Sequence, residues 1–267
     1  MNGGKILGIL IIIAMILSVA MVGYNSITHK MDNKQNIVKT VDILDESEIN
    51  QTFPEENSEA IQTININLDQ KVGGTNIKFA DNSTTIYNIT SNNEKNNKTT
   101  VTTNKKGTQL DVNIDSEDSQ NTIILSNKYK YTINGDIIAG GFSSDLGNNA
   151  QVDAININIT AGGVDLKLNG GQLTTVNSQI NTGGINIYGE PKGVTTINSQ
   201  IEVGGLNLQA KNAIADIFSD IKVGGINPGK YQKVGNNEYK GNLFDSSENK
   251  LIIHNNIRLG GVNTQSF

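Results

Sequence analysis

The string TTVNSQI at Thr174–Ile180 returns as TTINSQI at Thr195–Ile201, 21 residues later. GGIN at Gly183–Asn186 returns as GGLN at Gly204–Asn207 after 21 residues, and as GGIN at Gly224–Asn227 after 20. GGVD at Gly162–Asp165 stands 21 residues earlier, and AGGF at Ala139–Phe142 precedes AGGV by 22. A unit this short cannot bury an apolar face alone. It must stack on copies of itself, which excludes most compact folds at once.

Aligned on the period, apolar residues fall into five columns. They are Val152, Leu173, Val194, Ile214; Ile155, Val176, Ile197, Ile217; Ile159, Ile180, Ile201, Ile221; Val164, Ile185, Leu206, Ile226; and Leu166, Ile187, Leu208, which breaks at Pro228. Around each Gly-Gly pair apolar and polar residues alternate, which is strand periodicity. No stretch of the array carries a helical spacing. The expected fold class is all-β: a β-solenoid (single-stranded β-helix) of about 21 residues per rung, preceded by one transmembrane helix. Rungs stack in parallel at about 4.8 Å, with Ile, Val and Leu inside and the glycines at corners that a Cβ would obstruct. Asp165, Asn186, Asn207 and Asn227 form a polar column that either links amides along the axis or faces water.

Composition agrees. Aromatics are 5% with no Trp, too little volume for an ordinary compact core, whereas 28 Gly against 3 Pro suits many tight corners and unbroken strand ladders. There is no Cys, so disulfides, thiolate nucleophiles and Cys-based zinc sites are excluded. A net charge of -5 with no basic face argues against nucleic acid as a partner.

Domain organisation reads from the ends inward. Residues 1–5 form a short tail and 6–24 an apolar run, ILGILIIIAMILSVAMVGY, uncharged and about long enough to cross a bilayer. Lys5 places the tail in the cytoplasm and the remainder outside. Ser18-Val19-Ala20 offers the alternative of a cleaved signal peptide; both readings export the rest of the chain. Residues 25–60 form a polar linker. Residues 61–134 are a less regular β region and cap, with Asn104–Gly107 as a hairpin turn. Residues 135–267 are the solenoid repeats, with Pro228–Lys250 a loop or broken rung and Leu251–Asn263, LIIHNNIRLGGVN, the last rung.

The Gly-Gly-φ-Asn/Asp-φ corners, closed by LIIHNNIRLGGVN, resemble the β-solenoid domains called toast-rack or LiaF-like C-terminal domains. They are similar also to adhesin-like head domains rich in Gly-Ile-Asn triplets. The resemblance covers about Ile61 to Asn263 and is strongest from Lys130 onward. It implies a domain beside membrane segments, tied to envelope stress signalling or surface adhesion. The chain departs from the LiaF-like pattern in having one hydrophobic segment and Asn-bearing corners.

Candidate chemistry is sparse. His29 lies in the linker and His254 in the last strand, neither with evident partners. Of the carboxylates Asp136, Asp145, Asp153, Asp165, Glu190, Glu202, Asp216 and Asp220, only Asp165 sits in a column at rung spacing. That column continues as Asn, from which no acid–base pair can be built. The GGxGxD calcium pattern is absent, and Asp145–Asn149 reads as a plain turn. The glycines are not followed by Lys-Ser/Thr, so no phosphate loop exists. Sequons stand at Asn50, Asn82, Asn88, Asn97 and Asn158; such triplets are expected by chance in a chain this rich in Asn, Ser and Thr, and only the loop positions Asn82 and Asn97 read as glycosylation sites, which the exported topology permits. No catalytic, cofactor-binding or metal residue is assigned, and no cofactor or small-molecule substrate. The sequence leads to a non-catalytic, single-pass extracytoplasmic module of the cytoplasmic membrane. It binds a membrane-protein or cell-wall partner, and could serve envelope sensing. The alternatives are a structural or adhesin-like surface protein and, distantly, a polysaccharide-active enzyme.

Overall fold

The computed structural model describes residues 48–54, 61–81, 84–93, 98–147 and 149–267. The apolar run 6–24, His29, Asn82 and Asn97 lie outside these residues. Among the described residues, no helix is long and apolar enough to cross a membrane.

The fold is all-β and solenoid-like. Its strands are β1 (Glu48–Pro54), β2 (Thr63–Ala80), β3 (Thr85–Asn93), β4 (Thr99–Lys106), β5 (Gln109–Ser126), β6 (Lys130–Asp145), β7 (Gln151–Lys167), β8 (Gln172–Gly189), β9 (Val194–Ala210), β10 (Ala215–Asn227), β11 (Gln232–Lys233), β12 (Glu238–Lys240) and β13 (Lys250–Ser266). Eight of them stack in parallel, in the order β5, β2, β6, β7, β8, β9, β13, β10.

Connection length shows that these strands curl. β7 has 17 residues, on the order of 55 Å if straight, yet β7 and β8 pair in parallel from their first residues. The joining segment 168–171 spans at most about 14 Å. Each strand must therefore wrap back towards its own start, and one strand plus one short return makes a rung. The returns stack as well: Leu168 N donates to Tyr188 O at 2.9 Å and Gln172 N to Ala150 O at 2.8 Å.

The corners are set by backbone contact. Gly183 has φ +141°, and a Cβ built on it would lie 1.5 Å from the carbonyl oxygen of Gly162 on the neighbouring rung. The same clash recurs along the stack: Gly140 on Gly73, Gly162 on Gly140, Gly204 on Gly183, Gly260 on Gly204, Gly224 on Gly260. Only a residue without a side chain permits this close parallel approach.

Four of the five expected columns are inside. Ile155, Val176, Ile197 and Ile217 are fully buried, as are Ile159, Ile180 and Ile201. The first column differs at one place. Val194 is 50% exposed and Thr195 is buried instead, its Oγ1 donating to Leu173 O at 2.6 Å. β7 and β8 bury residues three apart at this point (Val152 and Ile155, Leu173 and Val176), whereas β9 alternates strictly.

Three further differences concern order. β13 is not the last rung: it lies between β9 and β10, so Ile257 separates Ile201 from Ile221. After β9 the chain leaves through a 3-10 turn, Lys211–Ala213, with Asn212 at φ 62° and Ala213 at φ 50°. That turn replaces the ordinary return and carries β10 one step too far, leaving a slot that β13 fills. The region 61–134 contains two complete rungs, β2 and β5, besides the antiparallel β3 and β4. Glu48–Pro54, read as linker, is strand β1 paired antiparallel with β3.

Candidate functional site: an axial amide groove

Along β5, β2, β6, β7, β8 and β9 one outward position is always asparagine: Asn113, Asn67, Asn134, Asn156, Asn177 and Asn198 stand in register. Parallel stacking brings identical side chains together at every rung, and planar amides then bond along the axis. Asn198 Nδ2 donates to Asn177 Oδ1 (2.9 Å), Asn177 to Asn156 (2.8 Å), Asn156 to Asn134 (2.9 Å), Asn134 to Asn67 (2.8 Å) and Asn67 to Asn113 (2.9 Å). Past Asn198 the same column continues as His254 and Phe218, whose rings stack with centroids 5.0 Å apart.

Two residues on, a second outward column reads Asn158, Gln179, Gln200, Asn256 and Asp220. Between the two columns the intervening side chains Ile157, Ser178, Ser199, Asn255 and Ser219 are buried, so strand backbone forms the floor. The columns flank a groove of about 610 Å³, with Asn237 at one end. It crosses five rungs, about 20 Å at the usual strand spacing.

The groove's hydrogen-bonding capacity follows from amide chemistry. A side-chain amide has two N–H groups and an oxygen with two lone pairs. Between its ends the ladder uses one of each, which leaves Asn67, Asn134, Asn156 and Asn177 with one further N–H and one further lone pair; Asn198, at its end, only donates. Beneath, Ser199 Oγ donates to Asn255 Oδ1 at 2.6 Å and Asn255 Nδ2 to Ser219 Oγ at 3.4 Å, tying the three rungs nearest His254 together inside.

The candidate residues named from the sequence scatter over the molecule. Among them His254 and Asp220 line the groove, with the sequon residue Asn158, which donates to Asp136 Oδ1 at 2.7 Å. Asp145 serves its turn, accepting from Asn169 Nδ2 at 2.6 Å and Gly147 N at 3.3 Å. Glu190 accepts from Asn249 Nδ2 at 3.0 Å and pairs with Lys211 at 3.3 Å. Glu202 pairs with Arg258 across the outer surface. Asp153 is exposed. Asn88 has its Oδ1 buried, and Asn50 lies in β1.

Among the described residues, Asp165 and Asp216 are the two carboxylates that burial holds above the usual aspartate range. For Asp165, Lys167 opposes the shift. Asp216 lies 4.0 Å from Lys240, which also pairs with Asp245 at 2.9 Å, and it faces Glu238. Among the described residues, no three His, Asp or Glu side chains converge as metal ligands would. The column expected at Asp165, Asn186, Asn207 and Asn227 is a ladder only at its end, where Asn227 donates to Asn263 and Asn263 to Asn207, each at 2.9 Å.

The longer ladder was missed, although its signal is in the repeated string: the Asn of NSQ is Asn177 and Asn198, and Asn156 stands 21 residues before. His254 and Phe218 could not be added, because their rungs are permuted.

No protein-family model matches the chain, the LiaF-like resemblance included, and no curated protein matches it. Among solved structures it is similar to the crystal structure of a "putative cell adhesion protein" from Clostridium sporogenes, at 18% identity and a TM-score of 0.59, over 82% of this chain and 99% of that one. At that identity the likeness establishes a shared fold.

Proposed function

We propose that this chain is a non-catalytic, extracytoplasmic surface module that works by binding, in the manner of an adhesin, and is held at the membrane by residues 6–24. The observation that supports this most is the groove. It crosses five rungs of a stiff stack and repeats one hydrogen-bonding pattern over three of them, at Asn156, Asn177 and Asn198, which is a way to hold an extended ligand rather than to transform a small one. Its one carboxylate, Asp220, shares the lining with amides, three serines, an isoleucine, a phenyl ring and an imidazole, a composition suited to binding. The fold shared with the clostridial protein adds to this reading.

A protein partner in the envelope is the second reading, favoured by the outer edge of β10. β12 covers β10 only at 216–218, and Ser219 N donates to Asn237 O at 2.8 Å. Among the described residues, no strand pairs with the outer edge of 220–227, where Val223 is 60% exposed. Such an edge is open to strand addition.

Both readings need the solenoid outside the cell. Protease added to intact cells that express the full chain should digest it while cytoplasmic markers survive. Protection of the chain would overturn the surface assignment. Crosslinking in the same cells separates the two readings: capture of surface polymer or a facing surface supports adhesion, and capture of one membrane protein supports the envelope partner.

A further inference from the structure

We infer that the groove between the Asn156–Asn177–Asn198 ladder and the Asn158–Gln179–Gln200 column is a binding site for a neutral linear polysaccharide lying along the solenoid axis. The inference rests on the binding-module reading above and names the ligand class.

The chemistry of the walls selects it. No lysine or arginine lines the groove, so a phosphate backbone finds no counter-charge there. Asp220 would repel an acidic chain, and one carboxylate is too little to hold a basic one. An amphipathic helix needs an apolar trough, yet Phe218 is the one large apolar side chain facing outward in the lining. An extended peptide binds by adding to a free strand edge, but β7, β8, β9 and β13 are paired on both sides along the floor. What remains suits hydroxyl groups. Each hydroxyl both donates and accepts, and each amide of the ladder offers one outward N–H and one outward lone pair side by side.

The periodicity selects a linear chain. The ladder bonds of 2.8–2.9 Å lock the amides in one orientation, so the outward pairs recur with the rung spacing of about 4.8 Å. That is close to the advance per sugar of an extended pyranose chain. Because the amides are already fixed by each other, little side-chain freedom is lost when the ligand settles. The opposite wall supplies longer side chains, Gln179 and Gln200, both exposed and outside the ladder, which can close over the ligand.

The test uses the full chain and β-1,4-linked gluco-oligosaccharides of two to six units, with oligogalacturonate as an acidic control. Binding is measured by isothermal titration calorimetry. The expected result is affinity that rises at least tenfold from the dimer to about the tetramer and then levels off, with no binding of the acidic chain. Gln179→Ala combined with Gln200→Ala should weaken binding at least tenfold without changing the melting temperature. Asn177→Leu should do the same at a small cost in stability, and Tyr188→Ala, away from the groove, should change nothing. Absence of binding, affinity independent of length, or an unaffected Gln179/Gln200 double variant would overturn the inference. Adherence of cells displaying the chain to protein-coated and polysaccharide-coated surfaces is read in parallel. Adherence without oligosaccharide binding sinks the ligand class and leaves the binding-module reading standing. If that adherence to protein is lost in the double variant, the groove is a protein site. Failure of both sinks both.

Discussion

The stack of rungs is finished differently at its two ends. At the β5 end two antiparallel strands cover the last rung, β4 along Gln109–Ser116 and β3 along Ser119–Leu125. At the β10 end, among the described residues, only the short β12 does so. The corner and the interior change with the cover. β5 has Ser119 and Gln120 where every other rung has Gly-Gly, and it is the rung with no parallel neighbour on the side opposite β2. A Cβ on each first glycine points at the carbonyl of the rung on the β5 side: Gly73 would strike Ser119 O at 2.0 Å, while Ser119 has no such rung to strike. The glycine rule is thus a rule about parallel neighbours, and it lapses where the neighbour is antiparallel.

The interior follows the same division. The column that reads Ile137, Ile159, Ile180, Ile201 and Ile257 becomes Gln70 in β2 and Ser116 in β5. These are not stray polar groups. Gln70 Oε1 accepts from Thr75 Oγ1 at 2.7 Å, and Gln70 Nε2 donates to Ser119 O at 3.1 Å. Asn121 Nδ2 reaches Ser116 Oγ at 3.1 Å, and Ser91 and Thr99 hydroxyls meet at 2.8 Å. A buried network of this kind is tolerated where its members satisfy one another, although Asn93, which accepts from the Ser91 and Thr99 hydroxyls, keeps its Nδ2 buried without a partner. Identical apolar residues make a stack that can be extended at will; a specific network ends it.

The sharpest way to break this comparison is to place a Cβ at equivalent corners. Gly183→Ala should cost at least about 4 kcal/mol, because the Gly162 carbonyl cannot move without shifting its own rung. Ser119→Ala should cost about 1 kcal/mol, the worth of its bond to Asn121. Denaturant unfolding of the two variants measures the difference, and equal losses would show that the corner is not held by rung contact.

Next in size is the interior column. Ile180→Asp buries an unpaired carboxylate among Ile159 and Ile201 and should cost several kcal/mol. Gln70→Leu, in the same column, takes the acceptor from the Thr75 hydroxyl and the side-chain donor from Ser119 O, and should cost about 1–3 kcal/mol. Thermal melts compare them; an unchanged melting temperature for Ile180→Asp would place that side chain outside.

A smaller effect is expected on the outer face. Burial raises the Asp165 carboxyl above the ordinary value of 3.8, with Lys167 pulling the other way. The folded state then binds the proton more tightly than the unfolded one. Stability falls as pH rises from the ordinary value through the folded one, and stays lower above both. Asp165→Asn should lift stability at pH 7 by under about 1 kcal/mol, a gain that fades towards pH 3. A gain equal at both pH values would mean that charge is not the cause. Smallest of all, Asn186→Ser should stay within about 0.5 kcal/mol of the parent, as a half-exposed outward position. Asn177→Ser, which breaks two ladder bonds, should lose about 1 kcal/mol by the same melts.

Much of the middle of the molecule could be read from the chain alone. Where Ile155, Val176 and Ile197 recur at 21 residues, each repeat sees the same neighbours, so period, interior face and corner follow from local pattern. The groove was half legible. Asn177 and Asn198 lie in the most obvious repeat, but Asn67 and Asn113 lie in rungs separated by the β3–β4 excursion. His254 and Phe218 share their column only because β13 enters between β9 and β10. A parallel rung offers the same backbone edge to any strand of matching pattern, whatever its place in the chain. Sequence therefore determined what a rung is, namely its length, its buried Ile, Val and Leu, and its glycine corner. The tertiary structure decided which rung lies on which, since that depends on where the left-handed turn at Asn212 and the antiparallel β3 and β4 send the chain. Through that order it also decided which outward side chains meet to form the groove.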